Sequence, residues 1–218
     1  MSAMKKTIVI LLIILPVLIA KAQTVTNHTV EPKGVYREID TKNDTRLMSL
    51  LLGPKNSDQS KLIGSIIQSP NTYDPPVLYA LSKALFTSGK YNDAIFWFYL
   101  AQLRARYDVN RCADKTASAA QYNQTFGPDI NQYAFAHLSD LEKAISRVIA
   151  FERSNEEKYD QRWINLTGMD AMNASLADKA GNKTLSKPKT EWPAIKKKTV
   201  DDYESDFKEA MSSLKKKS

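Results

Sequence analysis

Apolar residues recur three and four positions apart along most of this chain, a spacing that restricts it to helices. The pattern is clearest on either side of Ser88-Gly89. The first stripe consists of Val77, Leu78, Leu81, Leu85 and Phe86, and the second of Ala94, Ile95, Phe98, Ala101 and Leu103. This spacing places apolar side chains on one helical face, whereas a half-buried strand needs strict alternation. Alternating segments of useful length do not occur in the sequence, which therefore predicts an all-α fold, a compact helical array.

Gly89 is predicted to be the turn of a helical hairpin. Pro76 is tolerated in the first turn of the preceding helix, and Asn92 and Asp93 are expected to begin the following one. Glycine ends helices readily because it adopts positive φ without steric cost. Two antiparallel helices joined by a short glycine-containing turn form such a hairpin, so Gly89 is expected to have φ > 0.

Residues 1–22 have the features of a cleavable signal peptide. Lys5 and Lys6 precede an apolar run from Ile8 to Ala20, and Ala20-Lys21-Ala22 offers small residues where a signal peptidase reads them. The run is shorter than the roughly 20 apolar residues of a membrane-spanning helix; an uncleaved anchor is the alternative. The short basic start and the lack of disulfides are typical of bacterial export. We therefore expect a periplasmic protein without a stable membrane anchor after cleavage.

Changes in composition divide the rest of the chain into four parts. In order, these are a polar extended arm (23–43), a helical domain (44–177), a polar linker (178–198) and a C-terminal amphipathic helix with a basic end (199–218). Thr199 is expected to cap that last helix. Within the helical domain, Phe126-Gly127-Pro128 is expected to break the chain, because proline removes a backbone donor from a helix. A further helix is expected from Tyr159 to Leu176.

The excess positive charge is interpreted as solvated surface charge. The net charge of the chain is +7, and removal of the three signal-peptide lysines lowers it to +4. The lysines at 196–198 and 215–217 stand without the interleaved aromatic residues that stack nucleic-acid bases, so no nucleic-acid partner is expected. Cys112 is the only cysteine and is expected to be a buried core residue. Stability must then come from burial, because one cysteine cannot form a disulfide within the chain.

The segment from Leu78 to Arg106 resembles a tetratricopeptide repeat, a helix pair with large and small residues at fixed positions. The residues that carry the resemblance are Leu78, Leu81, Ser82, Leu85, Gly89, Tyr91, Ala94, Phe98 and Ala101. Leu78 stands in place of the opening tryptophan of that family, and Arg106 in place of its closing proline. A second copy is not found at the same spacing, so flanking helices are expected to cover the pair. The resemblance implies a helical groove suited to holding a peptide or protein; a generic helical hairpin is the alternative.

Three further segments resemble a group of exported proteins of Gram-negative bacteria. They are Phe96 to Tyr107, Asn131 to Phe135 and Arg162 to Leu166. This second resemblance implies no particular activity.

Residues that commonly carry catalysis or bind metals are few and scattered in the sequence. It contains no His-Glu-x-x-His motif, no pair of cysteines and no glycine-rich phosphate loop. Cys112, His137 and Asp140 could be arranged as a nucleophilic triad, but the local signatures of a catalytic cysteine are missing. The sequence therefore predicts no catalytic site, no cofactor and no bound metal.

A polar cluster near the end of the second hairpin helix is the candidate partner-binding site. Arg104, Asp108 and Arg111 share one helical face, and Arg104 and Asp108 have the spacing of a surface ion pair. Such a pair is the simplest interpretation. The alternative is that the cluster anchors a partner beside aromatic side chains, which together with arginine dominate protein interfaces. The predicted partner-binding residues are Trp97, Arg104, Tyr107, Arg111 and Trp163.

Three classes of function stay open on the sequence. The first is a non-enzymatic periplasmic protein-binding protein, most concretely an immunity protein that neutralises a toxin effector delivered to the cell envelope and encoded nearby. The second is an envelope scaffold or assembly factor that uses the same groove. The third is a hydrolase with an unrecognised site. A small, exported, single-domain chain favours the first class, and the neighbouring genes would distinguish it from the second.

Overall fold

The computed structural model describes residues 31–176 and 184–216. Their regular secondary structure is helical, which confirms the predicted all-α fold. The α-helices are α1 (Lys42–Leu52), α2 (Ser57–Gln68), α3 (Pro75–Thr87), α4 (Tyr91–Arg111), α5 (Ala120–Ala136), α6 (Leu138–Ser154), α7 (Met169–Leu176) and α8 (Trp192–Lys215). Short 3₁₀ helices span Gly34–Glu38, Pro70–Thr72, Gln161–Thr167 and Lys189–Glu191. The predicted signal peptide lies outside the described residues.

Helix α4 is the centre of the fold. It packs against α3, α5, α6 and α8, and residues 94–101 are buried on every face of the helix. Its consecutive aromatic residues cannot all face one neighbour, so different helices cover them. Phe96 packs edge-to-face against Phe151 of α6, and the hydroxyl of Tyr99 donates to Asn131 of α5 (3.0 Å). Burial of this apolar surface is the main source of stability for a chain with one cysteine.

Helices α3 and α4 form the predicted hairpin around Gly89. The φ angle of Gly89 is +77°, which confirms the predicted left-handed conformation. Its amide donates to the backbone oxygen of Phe86 (2.9 Å) and so closes the end of α3. Helix α4 begins at Tyr91, one residue before the predicted start.

Replacing Gly89 by alanine is expected to lower the free energy of unfolding by about 1 kcal/mol, because a Cβ disfavours the left-handed backbone. A Cβ at Gly89 would meet no atom within 4 Å, so backbone strain is the cost. Gly64→Ala in α2 is the matched control, since that glycine also has open space around it but a negative φ. The control should stabilise slightly. Urea unfolding measures both variants, and equal effects would contradict the turn role of Gly89.

Both ends of the described chain are more structured than predicted. Within the expected extended arm (23–43), Tyr36 lies in a 3₁₀ helix and is buried. Helix α8 begins at Trp192, so the predicted linker (178–198) is wrong in its last part. Thr199 is not a cap but an interior residue of α8, and its hydroxyl bonds back to the preceding turn. Helix α8 packs on α4 and α6. This packing extends α8 toward its N-terminus, beyond the apolar stripe from which its start was predicted.

Two predicted boundaries inside the helical domain also differ. Helix α5 continues through Phe126-Gly127-Pro128, where a break was expected. A Cβ on that glycine would lie 3.0 Å from the ring of Phe98, so the glycine lets α5 approach α4 closely, and this packing compensates for the backbone bond lost at the proline. The expected helix over 159–176 is divided at Gly168 into a 3₁₀ helix and α7.

Candidate binding groove

The last two turns of α4 bring together four polar side chains. Arg104, Tyr107, Asp108 and Arg111 are spaced so that they share one face of the helix, and all four are buried. The predicted surface ion pair between Arg104 and Asp108 is wrong, because each is buried with a different partner. Arg104 pairs with Glu152 (3.0 Å) and Asp108 pairs with Arg111 (2.5 Å).

Arg104 holds three parts of the chain together. Its Nε donates to Glu152 of α6 (3.0 Å), its Nη1 to the backbone oxygen of Pro70 (2.9 Å) and its Nη2 to Oδ1 of Asn71 (2.6 Å). The guanidinium carbon also lies 5.6 Å from the centre of the Phe151 ring. Because its side chain is 0% exposed, Arg104 is a structural residue, and its predicted role in partner binding is corrected.

The carboxylate of Asp108 accepts four hydrogen bonds inside the fold. Oδ1 accepts from Nε (3.0 Å) and Nη2 (2.5 Å) of Arg111. Oδ2 accepts from the indole of Trp163 (2.7 Å) and the hydroxyl of Tyr159 (3.1 Å). Burial raises the pKa of Asp108 to about 6, against the lowering effect of Arg111 and the other donors. Trp163 is thus anchored inside the fold, and its predicted contact with a partner is corrected.

A second buried cluster joins α6 to α8. Nζ of Lys196 donates to Oε1 of Glu157 (2.8 Å) and to the backbone oxygen of Asn155 (2.5 Å), and it lies 3.4 Å from Oε1 of Glu152. Burial and a hydrogen bond with Glu157 raise the pKa of Glu152 to about 7. Burial opposes ionisation of Glu157 as well, but hydrogen bonds with Glu152 and Lys196 outweigh it and lower the pKa of Glu157 to about 2. Glu152 is therefore the member of this pair that holds a proton near neutral pH.

Arg111 lies between two aromatic rings. Its guanidinium carbon is 4.2 Å from the ring centre of Tyr107 and 4.7 Å from that of Trp192. The indole of Trp192 donates to the backbone oxygen of Lys187 (2.9 Å), and the hydroxyl of Tyr107 donates to the backbone oxygen of Trp192 (3.3 Å). Cation–π contacts contribute about 2 kcal/mol when desolvated. These contacts therefore hold the start of α8 against the end of α4.

A groove of about 850 Å³ adjoins these clusters, between the C-terminal ends of α4 and α6 and the first turns of α8. Helix α4 contributes Tyr107 and Arg111 to it, and α8 contributes Trp192 and Lys196 among others. The end of α6 and the loop that follows it contribute residues 153–157. This volume is within the range of pockets that hold small ligands. Aromatic rings and the enclosed guanidinium form its floor, and charged side chains form its walls.

Two of the five predicted partner-binding residues line the groove. Tyr107 and Arg111 do so, but each is only 3% exposed, so a partner would meet them at the bottom of the groove. Arg104 and Trp163 belong to the buried network and are not part of the lining. Trp97 lies farther toward the start of α4 and is part of the hydrophobic core. Its predicted contact with a partner is therefore corrected, because apolar packing within the chain already covers it.

Glu157, Trp192 and Lys196 are groove residues that the sequence alone does not single out. The lysines at 196–198 are expected from the sequence to be solvated, yet the side chain of Lys196 is only 18% exposed. The signal that could have identified Trp192 and Lys196 is helical spacing. Trp192 and Lys196 continue the buried stripe of Val200 and Tyr203 toward the N-terminus of α8.

Cys112 lies far from His137 and Asp140, the other two residues considered for a nucleophilic triad. His137 stacks on Tyr133 (4.0 Å between ring centres), which stacks on Tyr91 at the start of α4 (4.5 Å). Cys112 follows the other end of α4, roughly 30 Å away by the rise of a helix of this length. Cys112 is buried, as predicted, and burial raises the pKa of its thiol to about 11.

The groove is the feature from which a function can be argued. Among the described residues, no group of three His, Cys, Asp or Glu side chains is placed to hold a metal ion. None of the described helices is both long and apolar enough to cross a membrane. No protein-family model, curated protein or solved structure matches this chain.

Proposed function

We propose that this chain is a non-enzymatic protein-binding protein that receives a segment of its partner in the groove. The observation that carries the proposal is a groove of about 850 Å³ whose floor consists of aromatic rings and an arginine. Its most concrete form is a periplasmic immunity protein that neutralises a toxin effector encoded nearby. The predicted export and the resemblance of the α3–α4 hairpin to a tetratricopeptide helix pair support this form.

The rigidity of the floor supports a binding role. Arg111 is held by two hydrogen bonds from its guanidinium to Asp108, and Asp108 is held in turn by Trp163 and Tyr159. Side chains that are already ordered lose little entropy when a partner binds, which favours affinity. Arginine, tryptophan and tyrosine are also the residue types that contribute most binding energy at interfaces.

The carboxyl pair of Glu152 and Glu157 is the feature that a hydrolase would use, since acid–base catalysis employs carboxyl groups with separated pKa values. Only Glu157 of this pair lines the groove, and its carboxylate is bonded to Lys196 (2.8 Å). The side chain of Glu152 is 1% exposed, so a substrate in the groove would not reach it. The geometry therefore favours binding. If the protein hydrolysed peptidoglycan or ester substrates and Glu157→Gln abolished that activity, a hydrolase would be favoured over a binding protein.

A tryptophan at position 154 is expected to block the groove. Ser154 is exposed at the end of α6, and its hydroxyl donates only to the backbone oxygen of Ala150 (3.0 Å). Ser154→Trp therefore fills the groove without removing a buried contact, and we expect it to weaken partner binding about tenfold or more. The measurement is co-expression with the product of the neighbouring gene, directed to the periplasm, followed by co-purification and a growth assay.

Ser146→Trp is the matched control. Ser146 is exposed on the same helix, its hydroxyl makes the same kind of bond to the backbone oxygen of Glu142 (2.9 Å), and it is not part of the groove. If both variants still bind the partner, the groove is not the binding site. The same conclusion follows if both lose binding while their circular dichroism spectra are unchanged. Co-purification without any effect on growth would favour an envelope scaffold over an immunity protein.

A further inference from the structure

The charges that line the groove do not balance. Five cationic side chains share it with three carboxylates. The cations are Arg111, Arg153, Lys189, Lys196 and Lys197, and the acids are Glu156, Glu157 and Asp201. Arg111 and Lys196 are already paired inside the fold with Asp108, Glu152 and Glu157. The positive charge open to a partner therefore comes from Arg153, Lys189 and Lys197.

One wall of the groove has fewer carboxylates than cations. Asp201 accepts from both Arg153 (2.8 Å) and Lys197 (2.6 Å). Arg153 also pairs with Glu204 (2.7 Å), which pairs in turn with Lys208 (2.6 Å). Three cations thus share two carboxylates at this wall. The side chain of Lys197 is 80% exposed, so a further carboxylate could approach it without displacing anything.

Lys189 is the cation most clearly available to a partner. It is exposed and has no carboxylate within ion-pair distance in the part of the chain that the structure describes. Its Nζ lies 5.7 Å from the ring centre of Trp192, so it stands beside an aromatic surface of the groove. Glu156 lies on the α6 side of the lining and is also exposed. It likewise has no ion pair among the described residues.

We propose that the partner segment that enters the groove is acidic and places a carboxylate beside Lys189 and others along Arg153 and Lys197. This inference rests on the proposed function, because it names the chemistry of the partner at the same groove. An apolar or aromatic residue next to the carboxylate would pack on the ring of Trp192. Complementary charge of this kind raises the rate of association and excludes partners of the wrong sign.

Charge reversal at the two unpaired positions tests the proposal. Lys189→Glu breaks no ion pair among the described residues and is expected to weaken binding of a short fluorescein-labelled peptide of alternating Glu, Leu and Trp about threefold to tenfold. Glu156→Lys, the control of opposite sign, is expected to strengthen it. Fluorescence anisotropy on the purified protein measures both. Raising NaCl from about 50 mM to about 300 mM should also weaken binding, because salt screens exposed charges.

A peptide with Lys in place of Glu is the second probe. Four outcomes would each overturn the proposal that the partner segment is acidic. They are tighter binding of the lysine peptide, equal binding of the two peptides, no binding of the acidic peptide, and tighter binding of the acidic peptide by Lys189→Glu. If the Ser154→Trp variant then failed to co-purify with the neighbouring gene product, the groove would still be supported as the binding site. If the Ser154→Trp variant still co-purified with that product, the proposed function itself would be overturned.

Discussion

Arg104→Ala is expected to lower the free energy of unfolding by about 3–5 kcal/mol, because three acceptors inside the fold lose their donor at about 1–3 kcal/mol each. The change leaves the carboxyl of Glu152 without its guanidinium partner. The backbone oxygen of Pro70 and Oδ1 of Asn71 also lose the hydrogen bonds that Arg104 donates to them. It also opens a cavity beside the ring of Phe151. At roughly 2–4 °C per kcal/mol for a chain of this size, the melting temperature should fall by about 6–20 °C in a circular dichroism scan.

Arg106→Ala is the matched control, two positions along the same helix. The side chain of Arg106 is 39% exposed, and its ion pair with Asp206 (2.9 Å) is exposed as well. Such surface pairs contribute only about 0–1 kcal/mol. If Arg104→Ala costs no more than Arg106→Ala, the buried network is not what holds α4 to α6.

The protein is expected to lose stability as the pH rises from about 5 to about 8. In the folded state, burial and Glu157 raise the pKa of Glu152 to about 7, from an ordinary value of 4.5. The folded state thus keeps a proton that the unfolded state releases. This contribution is fully present below about pH 4.5 and is lost as the pH rises through about 7. Because Glu152 titrates together with Glu157 and beside Lys196, we expect a loss of about 2 kcal/mol rather than the full shift.

Glu152→Gln isolates this effect. The amide oxygen still accepts from Arg104 but cannot ionise, so the stability of the variant should change less over the same pH range. Asp108, whose pKa is also raised, titrates alike in both proteins. The lowered pKa of Glu157 acts only at acid pH, where its contribution is lost below about pH 4.5. Urea unfolding across the range measures the two slopes, and identical slopes would contradict the raised pKa of Glu152.

The fold class and the α3–α4 hairpin can be predicted from the sequence because their causes are local. Apolar spacing decides which face of each helix is buried, and Gly89 adopts a positive φ that other residues avoid. Helix boundaries are less predictable where packing outweighs local preference. Pro128 lies inside α5 because contacts with α4 compensate for its missing donor, and α8 begins at Trp192 because that residue encloses Arg111.

The candidate site depends on neighbours that are distant along the chain. Arg104 and Arg106 lie in the same helix and look alike in sequence, yet one is buried against Glu152 and the other is exposed beside Asp206. The groove likewise joins the ends of α4, α6 and α8. Local spacing is sufficient to specify helices and the turn at Gly89. Only the packing of α6 and α8 on α4 decides which charges are desolvated, because desolvation is set by atoms that surround a side chain in space.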